Sequence, residues 1–85
     1  MAKTIRSNGH LALCEALIAA RVEAGLTQME LAKRLRCHQS FIARFESGER
    51  RIDVVELIVI ARALGTPSEK LLAVTERATE NNHKI

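Results

Sequence analysis

Apolar residues recur along this chain at three- and four-residue spacing in successive runs, each bounded by residues that start or stop helices. The first run predicts a helix from about His10 to Ala24, with Leu13, Leu17 and Ala20 facing the core and Gly25 as the left-handed residue that ends it. A second line on the same helix, Leu11, Ile18 and Val22, fits either partial burial or a partner surface. Thr27 and Glu30 form a capping box, so a second helix starts at Gln28. Leu31, Ala32 and Leu35 share its inner face, and it ends near Arg36. Beyond a corner at Arg36, Cys37 and His38, the pair Ile42 and Phe45 marks the buried side of a third helix. Asp53 with Glu56 caps a fourth helix, VVELIVIARAL, closed by Gly65. Val55, Leu57, Ile58, Ala61 and Leu64 are its expected core, while Val59 and Ile60 leave it apolar nearly all round, so a further element or subunit must cover part of it. Thr66 as N-cap, Pro67 as first helical residue and Glu69 open a fifth helix carrying Leu71, Leu72 and Val74. The expected organisation is an all-α domain over residues 10–74, a flexible basic arm over 1–9 and a polar tail over 75–85.

Composition narrows this picture. Eighty-five residues suffice for one small domain. Phe41 and Phe45 are the only aromatic residues, so the core must be aliphatic, and the stacking platforms that bind single-stranded nucleic acid are missing. The net charge is only +3, yet Lys33, Arg34, Arg36, Arg44, Arg50 and Arg51 face just Glu46 and Glu49 between positions 33 and 51, which concentrates the positive field there. Cys14 and Cys37 form no paired motif, and there is no signal peptide or membrane-length apolar run. A cytoplasmic protein with reduced thiols and no membrane partner is expected. Neither His10 with Cys14 nor Cys37 with His38 gives a tetrahedral ligand spacing, so no metal or cofactor is predicted. Nucleophile–base sets and phosphate-cradling loops are also missing, which argues against an enzyme.

The third helix carries the candidate chemistry. Gln39 and Ser40 occupy its first turn, where free N–H groups favour an anion, and Arg44 faces the same way one turn on. An amide, a hydroxyl and a guanidinium on one helical edge suit the DNA major groove, where arginine pairs with guanine and glutamine with adenine.

The run LTQMELAKRLRCHQSFIARFESGERR resembles the helix-turn-helix of the XRE family, the domain shared by phage Cro and repressor proteins. Thr27-Gln28, Leu31-Ala32, Leu35, Ile42, Glu46 and Gly48 carry the resemblance, which extends from about Leu13 to Leu72. Two departures stand at the corner: Arg36 where the family usually has glycine, and His38 where a small hydroxyl residue is common. The resemblance implies a five-helix, lambda-repressor-like DNA-binding domain, an ion pair between Arg21 and Glu46, and a loop from Ser47 to Arg51 lying against the sugar-phosphate backbone.

The resulting expectation is a repressor-type, sequence-specific regulator that binds double-stranded DNA as a homodimer on half-sites about one helical turn apart. Gln39, Ser40, Phe41 and Arg44 would read bases, and Gln28, His38, Ser47, Arg50 and Arg51 would hold the backbone. Phe41 is equally suited to touching a thymine methyl or closing the core edge. Leu71, Leu72 and Val74 are read as a two-fold dimer contact rather than packing onto helix one. The alternative is a protein-interaction module, for instance an antitoxin that holds a toxin through Ile18, Val22 and Val59 and represses its own operon, or a module that touches the transcription machinery.

Overall fold

Capping fixes where most of the helices begin. In the computed structural model, which describes residues 6–85, α1 spans Asn8–Glu23 and is capped by Ser7, whose Oγ accepts from the His10 N–H at 3.2 Å. It starts two residues earlier than the apolar spacing predicts. Gly9 fits inside the helix because it faces Thr79, whose hydroxyl occupies the place a Cβ would need. α2, Gln28–Leu35, and α4, Val54–Leu64, open with complete capping boxes, Thr27 with Glu30 and Asp53 with Glu56. α3, Gln39–Glu46, and α5, Ser68–Ala78, have no side-chain cap. The expected start of α5 is thus displaced by one residue. Thr66 donates its N–H to the Ala61 carbonyl to finish α4, and Pro67 becomes the N-cap. No strand occurs among the described residues, and residues 1–5 of the expected arm, including Lys3, lie outside them.

The ends of the first four helices follow one rule. After α1, α2, α3 and α4, paired backbone bonds of the Schellman type run back across a residue of positive φ: Gly25, Arg36, Gly48 and Gly65. Arg36 is the exception in chemistry, an L side chain held at φ 56, ψ 46 where glycine relieves strain. Left-handed backbone costs a side-chain-bearing residue roughly 1–2 kcal/mol, of which glycine's extra unfolded-state entropy offsets about half to one. Arg36→Gly is therefore expected to stabilise the domain by about 0.5–1 kcal/mol in urea denaturation.

α1 lies along α5, and α2 and α3 form the helix-turn-helix between α1 and α4. Leu17, Leu31, Ile42, Phe45 and Ile60 are wholly buried, each contributing about 1.5–3 kcal/mol by removal from water. On α4 the core face is Leu57, Ile60, Ala61 and Leu64. Val55, expected inside, is 70% exposed, and Ile60 takes its place at 2%. The reason is phase: 57, 60, 61 and 64 share one face of a 3.6-residue helix, and position 55 lies opposite. Leu71 corrects the expected dimer contact in the same way, because it is 2% exposed within the protein's own core. Leu72 remains at the surface at 59%, with Val74 partly covered.

Candidate nucleic-acid interface

α3 is held in place by a polar chain that begins on α1. Glu46, buried at the end of α3, accepts from Arg21 Nε at 2.6 Å, from Arg21 Nη2 at 3.0 Å and from Gln28 Nε2 at 2.9 Å. Arg21 Nη1 also donates to the Leu26 carbonyl at 2.8 Å. The bidentate hydrogen bond with Glu46 raises the arginine pKa further, so the guanidinium stays charged. Gln28 passes the constraint on, since its Oε1 accepts from Gln39 Nε2 in the first turn of α3. One connected set of hydrogen bonds thus fixes both ends of the helix. Gln28 acts inside this network as a bridge, a role that its place at the start of α2 does not disclose.

The outward edge of α3 is left open. Ser40 and Arg44 are exposed, and neither side chain makes a hydrogen bond or ion pair among the described residues. Gln39 is half-buried, with its amide oriented by Gln28 and its own carbonyl oxygen and second N–H still available. His38 is the exposed N-cap residue, and its imidazole makes no cap bond.

Phe41 sits differently from Ser40 and Arg44. Its ring meets Phe45 edge-on at 5.4 Å, and the Arg50 guanidinium lies 4.5 Å above it. Of its two expected roles, this geometry fits closure of the core edge.

Arg50 departs from its expected place on the DNA backbone. Its Nη1 and Nη2 grip Glu56 at 3.0 and 2.8 Å, and Nη1 also donates to the Arg51 carbonyl at 2.7 Å. Glu56 is itself the capping carboxylate of α4. Arg50 therefore ties the loop after α3 to the start of α4, and its donors are largely spent there.

The bond to Arg50 holds the Glu56 carboxyl below its ordinary value. A lowered carboxyl pKa stabilises the fold above the unfolded-state value, and this contribution fades as pH falls through the folded one. Both side chains keep about a third of their surface in water, which limits the gain. Glu56→Gln should cost about 1 kcal/mol near neutral pH, and the difference from the parent should close below about pH 4. Chemical denaturation over a pH series measures both.

The loop from Ser47 to Arg51 presents the remaining contacts. Ser47 Oγ donates to the Arg44 carbonyl at 3.0 Å and lies 3.1 Å from Glu49 Oε2. Arg51 is exposed, with no hydrogen bond or ion pair on its guanidinium among the described residues. His10, on α1, reaches the same loop. Burial and the charge of Arg51 lower its pKa, while a hydrogen bond with the Gly48 backbone opposes the shift. Its Nε2 lies 3.6 Å from Cys14 Sγ, and burial pushes the Cys14 and Cys37 thiols up. No cluster of three or more metal-ligating side chains occurs among the described residues. No described helix is long and apolar enough to cross a membrane.

Comparison with known proteins agrees with this geometry. The helix-turn-helix family model HTH_3 matches residues 17–71. Among solved structures, an XRE-family like protein from Pseudomonas syringae pv. tomato str. DC3000 is similar at 43% identity and a TM-score of 0.80, over 93% of this chain and 96% of that one. The clp gene regulator ClgR from C. glutamicum is similar at 25% identity and a TM-score of 0.75, over 85% of this chain and 92% of that one. No curated protein matches. Its helix-turn-helix core and its likeness along nearly the whole length of the Pseudomonas protein make this chain a member of the XRE family of helix-turn-helix, DNA-binding regulators.

Proposed function

We propose that this protein is a sequence-specific, repressor-type transcription regulator that binds operator DNA as a homodimer with α3 in the major groove. The observation that carries the reading is the open edge of α3: Ser40 and Arg44 project into solvent while Gln28 orients Gln39 beside them. Gln39, held in this way, meets a base edge at little entropic cost, and the open positions of Ser40 and Arg44 leave their donors available beside it. Gln28, through its second amide N–H, His38 and Arg51 flank that edge and supply donors for phosphates, whereas the Ser47 hydroxyl and the Gly48 amide are turned back onto the Arg44 and Phe45 carbonyls. Arg50 has a supporting part, since it fixes the loop and covers Phe41. Leu72 on α5 is the exposed apolar residue offered to the second subunit, whereas Val74, two residues on and so nearly opposite, lines the groove between α1 and α5 with Leu71. Similarity to ClgR, a clp gene regulator, supports a regulatory role.

Selection of binding sites from randomised duplexes, followed by a salt titration of the enriched site, tests the reading. Two-fold-related half-sites spaced by about 10 base pairs are expected, with affinity falling steeply as salt rises. Failure to enrich any sequence over random duplex would count against it.

A further inference from the structure

Where the end of α2, the corner, α3 and α4 meet, the surface holds an apolar groove of about 170 Å³. Leu35, Cys37, Phe41, Val55, Val59 and Ile60 line it, and Glu56 is its one charged lining residue. That carboxylate is neutralised by Arg50. Val55 and Val59 are 70% and 45% exposed, so the groove continues into an open apolar strip along α4. An apolar cavity of about 150 Å³ accepts a benzene ring, so this volume accommodates one large side chain.

The charges near the groove are uneven. Arg36 stands between the lining residues Leu35 and Cys37, and Arg62 follows Val59 by three residues on the outer stripe of α4. Both are exposed and make no ion pair among the described residues. Arg34 is brought to the same end of α4 by a 3.1 Å hydrogen bond to the Ala63 carbonyl. The C-terminal end of the strip is therefore the cationic one, with Arg34 held at Ala63, Arg62 three residues past Val59 and Arg36 between the lining residues Leu35 and Cys37. At the N-terminal end the Asp53 carboxylate is engaged as the cap of α4 and Glu56 is paired with Arg50. A second copy packed here by two-fold symmetry would set these arginines against themselves. The exposed face of α5 offers no better match, because Glu69, Lys70, Glu76 and Arg77 cancel.

We propose that this groove docks an acidic amphipathic segment of a partner protein, with one large apolar side chain seated between Phe41, Val55 and Val59 and carboxylates against Arg34, Arg36 and Arg62. The groove takes none of Gln39, Ser40 and Arg44 from the proposed base-reading edge. It gives the domain a second surface, for protein rather than DNA.

Two synthetic helical peptides test the proposal, sharing one leucine-rich face flanked by glutamates in one and by lysines in the other. Each is titrated into isotope-labelled protein and followed by NMR. The acidic peptide is expected to shift resonances of Leu35, Val55, Val59 and Ile60 and to bind at least about tenfold more tightly than the basic one at low salt. Val59→Glu and, separately, Arg62→Glu should each weaken it by about tenfold; both positions are exposed, and thermal melts check that each variant folds. Equal affinity for the two peptides, no shift with either, or shifts confined to other faces would overturn the proposal. So would dilution-dependent shifts at Val55 and Val59, which assign the groove to a second copy, or the same shifts on adding duplex DNA, which assign it to nucleic acid.

Discussion

Arg21→Ala is expected to remove about 3–5 kcal/mol of folding stability, a large share of what a domain of this size possesses. The loss comes less from the missing attraction than from what remains. Glu46 keeps only 5% of its side-chain surface in water, and without the guanidinium it retains the single neutral donor of Gln28. The Leu26 carbonyl loses its donor in the same change. Replacing both charged partners with apolar residues of similar volume should cost much less than the single change, because no buried charge is stranded. Urea denaturation of the two single variants and the double variant measures this directly. A loss below about 1 kcal/mol for Arg21→Ala would show that water replaces the arginine and that the ion pair does not fix α3.

The same substitution bears on recognition. Gln28 shares Glu46 with Arg21 and orients Gln39, so loosening one end of the chain of hydrogen bonds frees the other. Duplex binding by Arg21→Ala should therefore weaken even under conditions where the variant is fully folded.

Arg44→Ala carries the second large expected effect. Its side chain is exposed, so stability should change little, whereas affinity for the selected duplex should fall by about 1–3 kcal/mol and preference should relax at one base pair. Arg51→Ala provides the contrast. A guanidinium that meets phosphate carries no sequence information, so its removal should weaken all duplexes alike and reduce the salt slope by about one unit. Titration of both variants against the selected site and each of its single-base-pair relatives separates the two roles. Uniform loss for Arg44→Ala would move that residue to the backbone set.

Local chemistry is what the sequence discloses best. The boxes Thr27–Glu30 and Asp53–Glu56 act within three residues, and the helices they open start where the spacing places them. Competition between neighbouring elements is harder to see. Thr66 looks like an N-cap, yet its N–H is taken by the exit from α4, and the next helix begins one residue late. Phase is easily lost in VVELIVIARAL, where apolar residues on every side mask the face shared by Leu57, Ala61 and Leu64, which turns Ile60 inward and Val55 outward. Leu71 illustrates the same limit, because an apolar residue reads alike whether α1 or a second subunit covers it.

Among the site residues, the pairs distant in sequence are the ones that spacing conceals. Arg50 reads as a free cation in a basic loop, and only the folded chain brings it over Phe41 and against Glu56. The contact between Arg21 and Glu46 spans 25 residues and enters the sequence reading through resemblance alone. His10 suggested at most a half-formed metal site with Cys14, whereas its ring joins α1 to the loop at Gly48. Arg36 stands apart, since the sequence already marks it as a departure and the backbone shows its cost, a left-handed residue bearing a long side chain.

Methylation interference at guanine N7 on the selected duplex tests most directly whether Arg44 on α3 reads the major groove. N7 lies in that groove and is half of the bidentate pair that an arginine forms with guanine. Methylation of one guanine in each half-site should block the parent protein and have little further effect on Arg44→Ala. Blocking confined to adenine N3 in the minor groove, or equal sensitivity of the parent and Arg44→Ala to every N7 methyl, would contradict it.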